Sequence, residues 1–247
     1  MKNLATGLAV VLGSLAGGAS ATAQENTWRY GASLYLFASE TRTSTDTPFG
    51  KVSAELSFSD AVENLDLAFM GTFEASNGVW SFIGDYMYTD IGFSESTPGP
   101  ALSRAKASVE TQIFSGYAAY RVHETPTARI DLGAGFRWYA TDTEITLTGG
   151  AGNGLTFGPD DSVFYGLIAA RAGMDFSERW SGTAFVDYGG FDSDEETWQV
   201  LLTVDYAIND AWVLRGGYRY ISVENVNDGN SYSFEQSGPV FCATYRF

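Results

Sequence analysis

The chain ends Val240-Phe241-Cys242-Ala243-Thr244-Tyr245-Arg246-Phe247. In an extended strand, Phe241, Ala243, Tyr245 and Phe247 share one face; Cys242, Thr244 and Arg246 share the other. A soluble protein gains little by closing on bare aromatics. A strand that completes a barrel in a bilayer uses them: apolar side chains meet lipid, polar or small ones point inward, and an aromatic marks the interface. The alternation predicts an all-β fold, a closed antiparallel transmembrane barrel.

The other end agrees. Lys2 precedes an apolar run from Leu4 to Leu15, and small residues follow to Ala21-Thr22-Ala23. A charge, a short apolar core and an A-x-A site are the parts of a secretory signal peptide. We expect residues 1–23 to be that signal and 24–247 the barrel domain. The apolar run is too short to cross a bilayer as a helix.

Composition excludes other classes. The formal charge is −16, which argues against nucleic acid as a partner. Disorder fails as well, because aromatics are 15% of residues and charged residues only 18%. The one cysteine, Cys242, has no partner for an internal disulfide.

Counted back from Phe247, alternating runs fall near 231–247, 211–224, 196–208, 180–191, 161–176, 127–146, 105–121, 79–93, 65–76 and 27–38. Short connections such as Ser76-Asn77-Gly78 and Ser177-Glu178-Arg179 alternate with longer ones. Barrels of the outer membrane have short periplasmic turns and longer outside loops. With both termini periplasmic the strand number is even, and the expectation is ten, with eight or twelve as alternatives. The segment 39–64 is the ambiguous part. Its residues from Phe49 to Phe58 alternate, and Ser59 to Asn64 read as a capped helical turn. We expect a loop or partial plug there.

The six tryptophans test the map. Trp28, Trp80, Trp180 and Trp212 open strands that rise from the periplasm; Trp138 and Trp198 fall toward the outer side. All lie on the apolar face, which suits two aromatic belts. The opposite face predicts a lumen lined by Arg29, Asp66, Glu74, Asp85, Glu110, Arg129, Asp131, Arg137, Arg171, Asp175, Asp187, Asp205, Arg215, Arg219 and Arg246. Arginines and carboxylates in near balance pair and fill a small barrel. Barrels of about eight strands are filled by side chains, whereas those of sixteen leave a channel.

The stretch Ser57-Phe58-Ser59-Asp60-Ala61-Val62-Glu63-Asn64-Leu65-Asp66-Leu67-Ala68-Phe69-Met70-Gly71-Thr72-Phe73-Glu74, followed by Gly78 and Trp80, resembles the S-F-x-D-x-x-x-N-L-D-F-x-x-M-x-x-F-E-x-x-x-G-x-W core of a family of proteobacterial outer-membrane barrel proteins. The resemblance covers about 57–88. Members tend to carry a basic residue before the hairpin glycine, where this chain has Ala75-Ser76-Asn77. It implies envelope location and fold, and supplies no catalytic residue. The ending, with Phe241, Tyr245 and Phe247, also resembles the insertion signal of Gram-negative outer-membrane barrels. It implies a passing partnership with the barrel assembly machinery, then contact with membrane lipids and lipopolysaccharide.

Chemistry is sparse. The single histidine, His123, falls in a periplasmic turn without a serine two residues on, so no general base is expected and no enzymatic role. No cofactor and no firm metal site are expected. Acidic stretches at Asp160-Asp161, Asp192 to Glu196, and Glu224 with Asp228 have the ligand type for weak divalent cations. They also read simply as solvated outer loops. Gly149 to Gly154 lacks the Lys-Ser/Thr of a phosphate loop. The expected function is therefore a structural or interaction barrel with a narrow, charge-filled lumen. The alternative is a small porin-like channel for ions or small solutes, and an enzyme ranks third.

Overall fold

A computed structural model describes residues 27–47, 50–96, 104–148, 155–157, 160–191, 195–227 and 230–247. The expected signal peptide, the glycine run 149–154 and the acidic residues Asp192, Asp194 and Asp228 lie outside them. The elements are β1 (Arg29–Phe37), β2 (Glu40–Thr47), β3 (Gly50–Leu56), α1 (Phe58–Glu63), β4 (Leu65–Ser76), β5 (Trp80–Ser96), β6 (Arg104–Glu124), β7 (Ala128–Thr148), β8 (Leu155–Phe157), β9 (Asp160–Asp175), β10 (Trp180–Gly189), β11 (Glu195–Ala207), β12 (Trp212–Asn227) and β13 (Asn230–Arg246).

Ten of these close an antiparallel barrel in the order β1-β4-β5-β6-β7-β9-β10-β11-β12-β13, and β13 pairs back with β1. The ten match the expected runs in number, order and parity. Closure is completed at the last residue, where Phe247 and Tyr30 exchange backbone hydrogen bonds of 2.9 and 3.0 Å.

The segment 39–64 is corrected. It forms no plug. β2 carries β1 upward along β13, with Ser237 opposite Glu40, and β3 descends beside β2. β3 and β4 are thus one descending strand interrupted by α1. Ser57 caps the helix, its Oγ accepting from the Asp60 N–H at 3.2 Å. Even parity survives because β3 adds to the height of the wall and adds no strand to its circumference.

Outward faces are apolar and inward faces mixed. Phe241, Tyr245 and Phe247 are exposed on the outside. Trp28, Trp80, Trp180 and Trp212 are exposed near the periplasmic rim and pack on outward aromatics, for example Trp180 on Tyr206 at 4.8 Å. At the opposite level Trp198 stacks on Tyr220 at 4.4 Å. A row of directly paired residues climbs the wall through Trp180, Tyr206, Leu214, Ala243, Leu34, Gly71, Tyr86, Phe114 and Trp138. It starts at the periplasmic belt and ends at the outer one, as strand tilt requires. β6 and β7 have 21 residues each, about twice the roughly 9–11 that span a bilayer. The upper wall therefore stands outside the membrane.

Candidate functional site: the barrel interior

The inward positions of the strands place the lumen side chains in layers. Nearest the periplasm, Arg171 donates to Asp131 at 2.9 Å, to Glu74 at 2.7 Å and to Ser81 at 2.9 Å. Asp131 also pairs with Arg121. At the rim, Arg129 reaches Asp175 at 3.2 Å, and Arg215 lies 3.4 Å from Asp205.

The next layer is drier. Arg137 is fully buried and donates to Asp187 at 2.8 Å, to Thr197 at 2.6 Å and to Ser115 at 3.2 Å. The Tyr117 hydroxyl also donates to Asp187, at 2.7 Å. Arg219 donates to Asp85 at 2.7 Å, to Tyr35 at 2.8 Å and to Gln199 at 2.8 Å. Gln199 joins the two clusters, since its amide nitrogen donates to Asp187 at 3.2 Å. Tyr35 and Thr72 each donate to Asp85 at 2.9 Å. Two buried arginines thus find the carboxylates and hydroxyls that burial demands.

Further out the interior turns apolar. Phe37, Met70, Met87, Ile113, Ile221, Val223 and Phe234 are buried with Tyr139 and Tyr165. On β12, Ile221 and Val223 lie beyond Arg219; on β7, Tyr139 lies beyond Arg137. The two rings carry their hydroxyls to partners, Tyr139 to Tyr232 at 2.6 Å and Tyr165 to the Glu224 carbonyl at 2.9 Å. Side chains of both kinds fill the bore.

Of the predicted lumen residues, Glu74, Asp85, Arg129, Asp131, Arg137, Arg171, Asp175, Asp187, Asp205, Arg215 and Arg219 join these pairs. Arg29 and Arg246 sit exposed at the periplasmic rim. Two are corrected. On β6 the odd positions Thr111, Ile113, Ser115, Tyr117 and Ala119 are buried, so Glu110 faces outward. It stands in register between Asp90 and Asp142. Asp66 is turned outward by an irregularity in pairing between Leu65 and Leu67, and its carboxylate lies over Gly92. Sequence reasoning missed Arg121, Tyr35, Tyr117 and Gln199, and missed the apolar layer. Strand parity held the signal for all of them; reading charges alone passed it over. Among the described residues, no three His, Cys, Asp or Glu side chains converge as a metal site. His123 is exposed at the periplasmic end of β6.

No protein-family model matches the chain, and no curated protein does. Among solved structures, it is similar to the outer-membrane protease OmpT from Escherichia coli, with a TM-score of 0.57, 10% identity, and coverage of 92% of this chain and 99% of that one. Ail, the attachment invasion locus protein of Yersinia pestis, covers 89% and 98% at a TM-score of 0.37 and 12% identity. The translocator domain of the autotransporter NalP from Neisseria meningitidis covers 91% and 90% at 0.39 and 14% identity. The OmpT likeness establishes the fold. A closed barrel with an apolar band between two aromatic belts is an outer-membrane protein of a Gram-negative bacterium.

Proposed function

We propose that this protein is a non-conducting barrel of structural or interaction type. In this reading the membrane part is a rigid stem, and the wall above it is the working surface. One observation carries the proposal: Arg137, Tyr139, Tyr165, Ile113 and Ile221, on four strands, are each less than 2% exposed in the bore. A pore needs polar side chains held apart around water; here they are bonded to one another. The upper wall supports an interaction role. Its segments carry Glu40, Glu55, Asp90, Glu110, Asp142, Glu144, Glu195, Glu196, Glu224 and Glu235 against Arg42, Lys51, Arg104 and Lys106.

The reading gives the protein no catalytic role. Its one histidine, His123, is exposed at the periplasmic end of β6. Lipids and lipopolysaccharide surround the stem, and the assembly machinery handles the last strand during insertion.

Planar-bilayer recording tests the proposal. The wild type is expected to give no single-channel steps. Heat-modifiable gel mobility of the same reconstituted protein shows that folded barrels are being recorded. Reproducible steps from the wild type would replace the proposal with a small ion channel.

A further inference from the structure

The periplasmic mouth of the barrel holds two arginines that its ion pairs do not use. Arg121, Arg129, Arg171 and Arg215 take up Glu74, Glu124, Asp131, Asp175 and Asp205 between them. Arg29 and Arg246 remain. Among the described residues, neither guanidinium has a carboxylate within ion-pair distance or a hydrogen-bond partner.

The two are neighbours by register. Arg246 lies opposite Gly31, and Arg29 stands two residues below Gly31 on the same face. Both share the inward parity of Ser33 and Thr244, whose hydroxyls meet in the lumen at 2.8 Å. Arg246 comes within range of the charges of Arg215 on β12 and Arg129 on β7, and of those of Asp205 and Glu74. Both carboxylates are already engaged, Asp205 with Arg215 and Glu74 with Arg171. Arg215 is held loosely in return. Its Nε lies 3.4 Å from Asp205, is buried, and has no hydrogen-bond partner. Guanidinium groups gathered in this way repel one another until an anion lies among them.

The class of anion follows from direction and level. Arg29 and Arg246 approach from the β1–β13 side, and Arg215, opposite Cys242, approaches from above them. Donors from several directions suit the tetrahedral oxygens of a phosphate better than the plane of a carboxylate. The level is that of the headgroups, since Trp28 and Tyr30 flank Arg29 in the chain, Tyr245 and Phe247 flank Arg246, and all four are exposed on the outside. We infer that Arg29, Arg215 and Arg246 form a phosphate-binding site at the periplasmic mouth. Its ligand is free phosphate or the head of an inner-leaflet phospholipid bent over the rim, with the same chemistry of recognition. The site rests on the non-conducting reading in one respect: the buried Arg137 and Arg219 above it stop the anion at the mouth.

The test is protection from phenylglyoxal, which modifies arginine, with the barrel folded in phosphate-free maltoside micelles and peptide mapping as the measure. Inorganic phosphate is expected to slow modification of Arg29 and Arg246 until the effect levels off. Arg179, exposed in the turn before β10, is expected to react as before. Arg29→Gln is expected to raise the phosphate concentration that half-protects Arg246 roughly tenfold, the loss of one charge-assisted contact. Protection shared by Arg179, reproduced by chloride at equal ionic strength, or unchanged in Arg29→Gln would be screening by salt and would end the inference. Phosphatidylglycerol added to the micelles separates the sources. Protection by it that free phosphate cannot increase assigns the lipid head; protection by free phosphate alone assigns the soluble ion. Single-channel steps from the wild type would overturn the filled bore and leave the protection pattern as it stands, so the two failures are distinct.

Discussion

At the scale of single residues, the Arg137–Asp187 pair decides most. Both side chains are fully buried, so the desolvation of each is offset only while the other is present. Arg137→Met strands Asp187 and is expected to cost about 3–5 kcal/mol, read as a lower temperature for heat-modified gel mobility. Arg137→Met/Asp187→Leu removes both charges and is expected to recover most of that loss. The ions were legible in the sequence because a strand has two faces and lipid tolerates arginine on neither edge nor outer face. Their neutral partners were not. Gln199, Ser115 and Thr197 look alike whether they meet water, lipid headgroups or a buried guanidinium. Asp66 was misplaced for a local reason, since one irregular pair beside it turns the chain over, and no residue type announces that.

At the scale of elements, the strands were legible nearly to their ends, because a period of two with aromatics on one side fits little besides a strand that faces lipid. The β3–α1–β4 interruption was harder. Its alternation and its helical turn were both visible, but whether a strand adds to the circumference or to the height depends on pairing with β2, a long-range fact. Turns offer a sharper test. Gly78 and Gly190 have φ of +88° and +78°, where a side chain is strained. A Cβ at Gly78 meets nothing, so Gly78→Ala is expected to cost only the backbone strain, roughly 1–2 kcal/mol. At Gly190 a Cβ would run into the Glu195 carbonyl oxygen, and the start of β11 would have to shift. Gly190→Ala is therefore expected to lose more stability than Gly78→Ala in urea unfolding of the micelle-folded barrel. Equal losses would mean that the β10–β11 connection yields freely.

At the scale of the whole molecule, charge is distributed by level. Inside the membrane the arginines and carboxylates balance. Above the outer belt carboxylates dominate, in places side by side across strands, as in Asp90, Glu110 and Asp142. Like charges so placed repel, a cost that water at this level screens and that lipid would not. The charge pattern and the orientation therefore imply each other. Lysine gives the orientation a direct readout. The chain has three, and beyond the expected leader these are Lys51 on β3 and Lys106 on β6. Both belong to the extracellular wall, and Lys106 is exposed. A membrane-impermeant amine reagent applied to intact cells is expected to modify Lys106 as fully as it does after lysis, with peptide mapping as the measure. Modification that appears only after the outer membrane is broken would invert the barrel and place the acidic wall in the periplasm.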